Sequence, residues 1–411
     1  MNKKERLNMG ILQKVIGEGA VQKELNLLLT IGGLYSLSIA LSNTFVNIYL
    51  WKQSGDFLDI GIYNLIVVIV QPVIFILAGR MAKKVDRIIV LRLGVIFLAL
   101  FYLTVLLVGE HATNFLWLLG ALLGMGYGFY WLAFNVLTFE ITEPETRDFF
   151  NGFMGVLNSS AGMIGPISAG FIISRLNRFS GYTFVFGLSL LLFAVAVLLS
   201  FFLKRRPAHG KYCFVRVLQE RKNDRNWSLI TWANFCQGVR EGTFMFVISI
   251  FVFIQTGSEL ALGSYGLLHS AVAFVAYYFV SRLIKSDMRS KAILFGGVLL
   301  YAAVILIAVD VTYAKLLIYA VMIAVGYPLL LVPYVSLTYD VIGRAWHAAE
   351  MRIEYVVARE IFIHLGRIVS ILGFLFAVYY FDPKQSLPIF LLIAGLGHTV
   401  IYFFVRQIKL T

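Results

Sequence analysis

The sequence predicts an all-α membrane protein of twelve transmembrane helices, arranged as two pseudo-symmetric bundles of six. Three observations carry this. Sixty per cent of the 411 residues are hydrophobic, 14% are charged, and mean hydropathy is +0.83. A water-soluble chain of this size needs far more charge to cover its surface, so the solvent must be largely lipid. The apolar residues gather in twelve runs of roughly 20, the length at which a helix rising about 1.5 Å per residue crosses a bilayer. The second half of the chain also repeats the first at a nearly constant offset.

Taken in order, residues 1–26 form a charged tail with no cleavage site ahead of the first span, so no removable signal peptide is expected. Its stretch Ile11–Val21 could lie on the membrane surface as an amphipathic helix, but a plain tail is the preferred reading. The first bundle, residues 27–203, holds the runs Leu27–Trp51, Leu58–Gly79, Ile88–Val108, Phe115–Phe139, Phe149–Ile173 and Tyr182–Leu203. Residues 204–227 carry eight basic residues and no long apolar run, and read as a loop between bundles. The second bundle, residues 228–405, holds Ser228–Ile254, Leu262–Ile284, Ala292–Val309, Leu316–Tyr339, Tyr355–Phe381 and Leu387–Val405, and residues 406–411 close the chain. In hydrocarbon each backbone group must bond within its own segment, so runs this long are helices.

A net charge of +13 raises the question of nucleic acid, and its distribution answers it. With the N-terminus in the cytoplasm, 27 of the 35 Lys and Arg fall on the cytoplasmic side, five on the other, and three inside spans. This positive-inside pattern places both termini in the cytoplasm of a bacterial inner membrane, and makes the basic excess a topology signal. The expected partners are the lipid bilayer and a small-molecule substrate, with no nucleic acid. Two cysteines, Cys213 and Cys236, cannot support an extracellular disulfide framework. No Walker sequence, metal-ligand cluster or nucleophile constellation is visible, so no cofactor, ATP-driven step or enzymatic chemistry is expected.

The repeat is read residue by residue. At a shift of 202, Ser54-Gly55, Gly61, Tyr63 and Leu65 fall on Thr256-Gly257, Gly263, Tyr265 and Leu267, and Arg80, Lys83, Arg87 and Gly94 fall on Arg282, Lys285, Arg289 and Gly296. At 200, Leu137-Thr138-Phe139-Glu140 falls on Leu337-Thr338-Tyr339-Asp340. Parallel repeats of six helices place a solute site near the midplane between the halves.

The second and third spans are joined by Gly79-Arg80-Met81-Ala82-Lys83-Lys84-Val85-Asp86-Arg87. This resembles the signature loop of the major facilitator superfamily, with Lys83 where the family usually has Asp and Asp86 where it has Gly. In the fifth span Gly152, Ala161, Gly165-Pro166 and Ala169-Gly170 resemble the motif typical of the superfamily's proton-coupled antiporters. The resemblance covers nearly the whole chain and lies closer to the small Gram-positive drug-efflux-like members than to the sugar porters. It implies gating roles for Gly79, Lys83, Asp86, Arg87, Gly165, Pro166 and Gly170, a cavity lined by helices 1, 4, 7 and 10, helices 2, 5, 8 and 11 between the halves, and a monomer. Physically, small residues let helices touch and Pro166 frees a backbone carbonyl, so the helix can bend there.

Five ionisable residues fall deep inside spans: Arg240 and Glu241 in the seventh, and Arg359, Glu360 and Arg367 in the eleventh. Each costs roughly 2.5–3.5 kcal/mol on insertion scales unless paired or facing water. Glu360, His364 and Arg367 share one helical stripe, and Gln237, Arg240, Glu241 and Phe244 form another. The first is read as a coupling or gating stripe with Glu360–His364 as a protonation pair, Arg359 facing elsewhere. The second is read as substrate or proton sites. Asn43, Asn47, Trp131, Asn135 and Tyr327 are added as an amide and aromatic lining suited to an amphipathic solute. His269 and His398 are taken as structural. The resulting expectation is a proton-coupled exporter of an amphipathic small molecule working by alternating access. The alternatives are a proton-coupled uptake symporter for an organic anion clamped by Arg240, and a non-transporting receptor or assembly protein, for which the altered loop at Lys83 is the support.

Overall fold

The computed structural model describes residues 20–141, 144–176, 179–205 and 210–409, with the side chains of 20–22, 139–149, 151–152 and 286 set aside. Nearly all of the stretch Ile11–Val21, and the Gly152 side of the fifth-span motif, therefore lie outside the described set. Among the described residues the regular structure is helical. The long helices are α1 (Ala20–Ser54), α2 (Phe57–Lys84), α3 (Arg87–Val108), α4 (Leu116–Ile141), α5 (Pro144–Arg175) and α6 (Ser180–Ser200). They continue as α7 (Arg225–Thr256), α8 (Glu259–Leu283), α9 (Arg289–Val309), α10 (Tyr313–Arg344), α11 (Arg352–Tyr380) and α12 (Pro383–Val405).

Among the described residues eleven helical stretches are long and apolar enough to cross a membrane, and one of them, Arg87–Thr138, spans 52 residues and holds α3 and most of α4 joined by the 3-10 turn Gly109–Phe115. The protein is an integral membrane protein. Several helices begin where a side-chain acceptor closes the first turn: Asp224 accepts from the Trp227 amide (3.0 Å), Ser258 from Ala261 (3.2 Å) and Thr312 from Lys315 (3.3 Å). The Asp224 cap starts α7 at Arg225, earlier than the apolar run at Ser228, because the helix continues into the polar region while its donors stay satisfied. The loop between bundles also has structure of its own, a short helix at Phe214–Gln219 and a 3-10 turn at Glu220–Lys222.

The packing graph maps onto itself when every helix is advanced by six. In the first half α2 and α3 both pack on α4, and α1 packs on α5 and α6, with α3 also on α6. The second half repeats each of these: α8 and α9 on α10, α7 on α11 and α12, and α9 on α12. Between halves the principal contacts are α2 with α11 and α5 with α8, which exchange under the same operation. The repeat is visible down to single glycines. Gly55 (φ +65°) and Gly257 (φ +59°) make the same left-handed turn after α1 and α7, a conformation without penalty only for glycine. A Cβ on Gly94 would lie 2.5 Å from the Tyr130 amide nitrogen, and one on Gly296 would lie 2.7 Å from that of Leu330. Tyr130 and Leu330 are themselves 200 positions apart.

Candidate functional site

The tightest helix pair is α7 with α11. A Cβ on Gly238 would overlap the Ile363 carbonyl, and one on Gly366 the Phe235 carbonyl, so the two backbones touch at mid-helix. This knuckle sits among the deep charges: Arg240 and Glu241 follow Gly238 within one turn and Arg367 follows Gly366 directly, whereas Arg359 and Glu360 precede Gly366 by nearly two turns.

Adjacent residues on a helix diverge by about 100°, and Arg240 and Glu241 accordingly face different surroundings. Glu241 points into the second half. Its carboxylate accepts from Arg367 Nη2 (2.6 Å), Gln237 Nε2 (2.8 Å) and the Tyr327 hydroxyl (2.9 Å), tying α7 to α10 and α11. Arg240 points to the junction of the halves and is 7% exposed. Its Nη2 donates to the Tyr319 hydroxyl (2.9 Å) and its guanidinium lies 3.9 Å from the Phe244 ring centroid. Its Nε has no hydrogen-bond partner, and among the described residues no carboxylate lies within ion-pair distance.

Arg240 lines a cavity of about 380 Å³ between the halves. Asn43 of α1 and Pro166 of α5 form the first-half wall; Phe244 and Ser249 of α7, Tyr265, His269 and Ser270 of α8 and Tyr319 of α10 form the other. Asn43 accepts from Tyr127 of α4 (3.0 Å), which holds its amide in place. Asn47, expected beside it, instead accepts from Asn64 of α2 (2.7 Å) and is buried, because one further turn of α1 rotates it against its neighbour helix. Trp131 meets Tyr35 edge-on (5.4 Å) and does not line this cavity, nor does half-buried Asn135.

On α11 the expected Glu360–His364 pair is not made through side chains. The Glu360 carboxylate lies 3.5 Å from Arg359, whose guanidinium also sits 5.8 Å from the Tyr339 ring. His364 is fully buried and its Nδ1 lies 2.8 Å from the Glu360 backbone carbonyl, the position that an i, i+4 ring reaches on its own helix. Its Nε2 is 3.4 Å from Arg367 Nη1. His398, taken as structural, is fully buried on α12 with neither ring nitrogen hydrogen-bonded. His269, also taken as structural, stands on the cavity wall.

Among the described residues two lysine–glutamate pairs join the halves at opposite faces. On the face of the central linker, Lys83 at the end of α2 donates to Glu354 at the start of α11 (2.5 Å) and to the Glu350 carbonyl (2.8 Å). Glu354 is fully buried and also accepts from the Cys213 amide (3.1 Å), while the Gly210 amide donates to the Lys83 carbonyl (2.9 Å). The linker is thereby strapped over the seam. Tyr212 and Val357 both lie against Gly79, and burial together with the nearby Glu354 carboxylate pushes the Tyr212 phenol pKa up. Asp86 caps α3 through the Ile88 amide (2.7 Å) and holds Arg205 (3.1 Å), and Arg87 opens α3 beside it. The resemblance places an Asp at 83; here a lysine occupies that position and its acid, Glu354, sits across the seam.

On the opposite face, Lys52 at the end of α1 donates to Glu259 at the start of α8 (2.8 Å), and Tyr182 of α6 donates to the same oxygen (2.9 Å). The rings of Phe179, Tyr182 and Phe253 surround the ammonium at 5.3–6.0 Å. Gly170 of α5 packs directly on the Glu259 carbonyl, Pro166 on Gly263 and Gly266, and Gly165 on Ala40 of α1. Sequence reasoning missed Lys52, Tyr182, Glu259, Glu354 and the strap. Charges at helix ends look like topology signals, and only the partner helix reveals them as bridges.

A family model described as Major Facilitator Superfamily matches residues 28–351. The chain is 64% identical over 401 residues to the uncharacterized protein YqgE of Bacillus subtilis (strain 168), covering 98% of this chain and 93% of that one. It is 69% identical over 178 residues to an uncharacterized protein in the sodM 3′ region of Geobacillus stearothermophilus, covering 43% and 83%. Similar solved structures include a nucleoside transporter (TM-score 0.69, 14% identity, 94% of this chain and 100% of that one) and the human organic anion transporter MFSD10 (0.66, 14%, 94% and 100%). The Escherichia coli fucose:proton symporter is similar at TM-score 0.63 and 16% identity, over 94% of this chain and 98% of that one. At these identities the structural likenesses speak for the fold, and the family match speaks for kinship: the chain belongs to the major facilitator superfamily.

Proposed function

We propose that this secondary transporter carries a small amphipathic molecule across the bacterial cell membrane by alternating access, coupled to protons and with the linker face in the cytoplasm. The observation that carries the reading is the pair of inter-half bridges, Lys83–Glu354 at one face and Lys52–Glu259 at the other, with the cavity between them. A carrier must break one bridge while keeping the other. Export in exchange for protons is favoured by the α5 motif, whose Pro166 and Gly170 pack on α8 at the bridge of the opposite face. Uptake together with protons is favoured by the cavity wall, which among the described residues holds no carboxylate for a proton and a solute to contest. The titratable groups proposed for coupling are His269 on the wall and Glu241 behind it.

Comparison of exported and retained metabolites in deletion and overexpression strains supplies the substrate. Proteoliposomes then decide the direction. Efflux driven by protons moving inward supports exchange, whereas accumulation with protons moving inward supports symport. Movement insensitive to either gradient would overturn the proton assignment.

A further inference from the structure

We propose that the central cavity is an anion site, in which Arg240 binds the negatively charged group of an organic acid and the aromatic wall holds its apolar body. The inference rests on the transport reading above and narrows the substrate to one sign of charge. Of the five deep charges, four are neutralised in pairs, Glu241 with Arg367 and Glu360 with Arg359. Among the described residues Arg240 is the one of the five left without a carboxylate. An ion taken out of water without a counter-charge carries a penalty of several kcal/mol, and neither the Tyr319 hydroxyl nor the Phe244 ring brings a full negative charge to offset it.

Geometry directs the remaining charge into the cavity. Glu241 cannot swing to Arg240, because Arg367, Gln237 and Tyr327 hold it on the other side of α7. The Arg240 stem is fixed from behind, since a Cβ on Gly397 of α12 would lie 3.1 Å from the Arg240 Cβ. Arg240 Nε is unpaired. Across the cavity, Asn43 uses its carbonyl to accept from Tyr127, which leaves its NH₂ to donate. An acid lying between them would bond to both halves at once, through Arg240 on α7 and Asn43 on α1. A cation of the same size would meet an uncompensated guanidinium and no acid.

The test uses wild-type protein and three variants in nanodiscs, with benzoate and dodecanoate as anionic probes and benzyltrimethylammonium as the cation. Benzoate or dodecanoate is expected to raise the Tm of the wild type, and the cation to leave it unchanged. Arg240→Met should abolish the anion shift without lowering the ligand-free Tm, and Arg240→Lys should retain part of it. Arg367→Met, which strands Glu241, should lower the ligand-free Tm. The inference is overturned if Arg240→Met unfolds as early as Arg367→Met, if the anion shift survives in Arg240→Met, if the cation stabilises, or if neither anion does. Spin labels at Ser54→Cys and Leu260→Cys, in a Cys213→Ser/Cys236→Ser background, separate this from the transport reading. Two exchanging distances with no anion binding sink the anion site alone; a single fixed distance sinks alternating access.

Discussion

Glu241 accepts from donors on three helices, Gln237 on its own α7, Tyr327 on α10 and Arg367 on α11, and so ties the three together. Removing one member of a buried ion pair costs about 3–5 kcal/mol, because the survivor is left charged and unmatched. Glu241→Gln is therefore expected to destabilise more than the double variant Glu241→Gln/Arg367→Gln, in which no charge is stranded. Chemical denaturation in detergent, with Arg367→Gln as the second single variant, reads this as a double-mutant cycle, and a loss in the double equal to the sum of the two single losses would show that the pair is not coupled. The depth of these charges was legible in the sequence, since five ionisable groups interrupt two apolar runs. Their pairing was not. Helical spacing suggested Glu360 with His364, but spacing along one helix says nothing of Arg359, whose stem folds back to the neighbouring carboxylate. It also could not say that Arg240 and Glu241 would part company.

Helices and turns were the most legible level, because a bilayer imposes length and apolarity on each segment without reference to the others. The offset of 202 paired Gly55 with Gly257, and the structure shows that both make left-handed turns. What spacing could not supply is which glycines bear contact. At the α7–α11 knuckle, Gly238→Ala or Gly366→Ala would drive a methyl group into a backbone carbonyl and force the helices apart. Either is expected to lower the Tm by several degrees and reduce the monodisperse fraction on size exclusion. Gly187→Ala on α6 and Gly343→Ala on α10 meet nothing within 4 Å and should leave both measurements unchanged. If all four behaved alike, the knuckle would carry no special packing.

Across the whole molecule the halves are held at two ends by ion pairs of one polarity, lysine from the first half and glutamate from the second. Reversing one charge, as in Lys83→Glu, should bias the carrier towards opening at the linker face, and Glu354→Lys should do the same. The double exchange Lys83→Glu/Glu354→Lys is expected to restore closure. Alkylation of Cys213 by a maleimide, in a Cys236→Ser background, reports it, because the Cys213 amide is strapped to Glu354. Fast labelling in both singles and slow labelling in the double is the expected pattern, and uniformly slow labelling would remove the bridge from the gate. Family membership and the repeat were visible from the chain alone. The bridges were not, because each depends on two helix ends far apart in sequence meeting across the seam. Their shared polarity also bears on how a duplicated ancestor becomes committed to being a single gene. The first-half counterparts of Glu259 and Glu354, Phe57 and the stretch Gly152–Met154, contain no acid. Two copies of the first half would offer Lys52 and Lys83 no acid at the matching positions. Expressed as two separate polypeptides, the fragments should assemble as a heterodimer and refuse to homodimerise, so that the protein can be split but neither piece can stand in for the other.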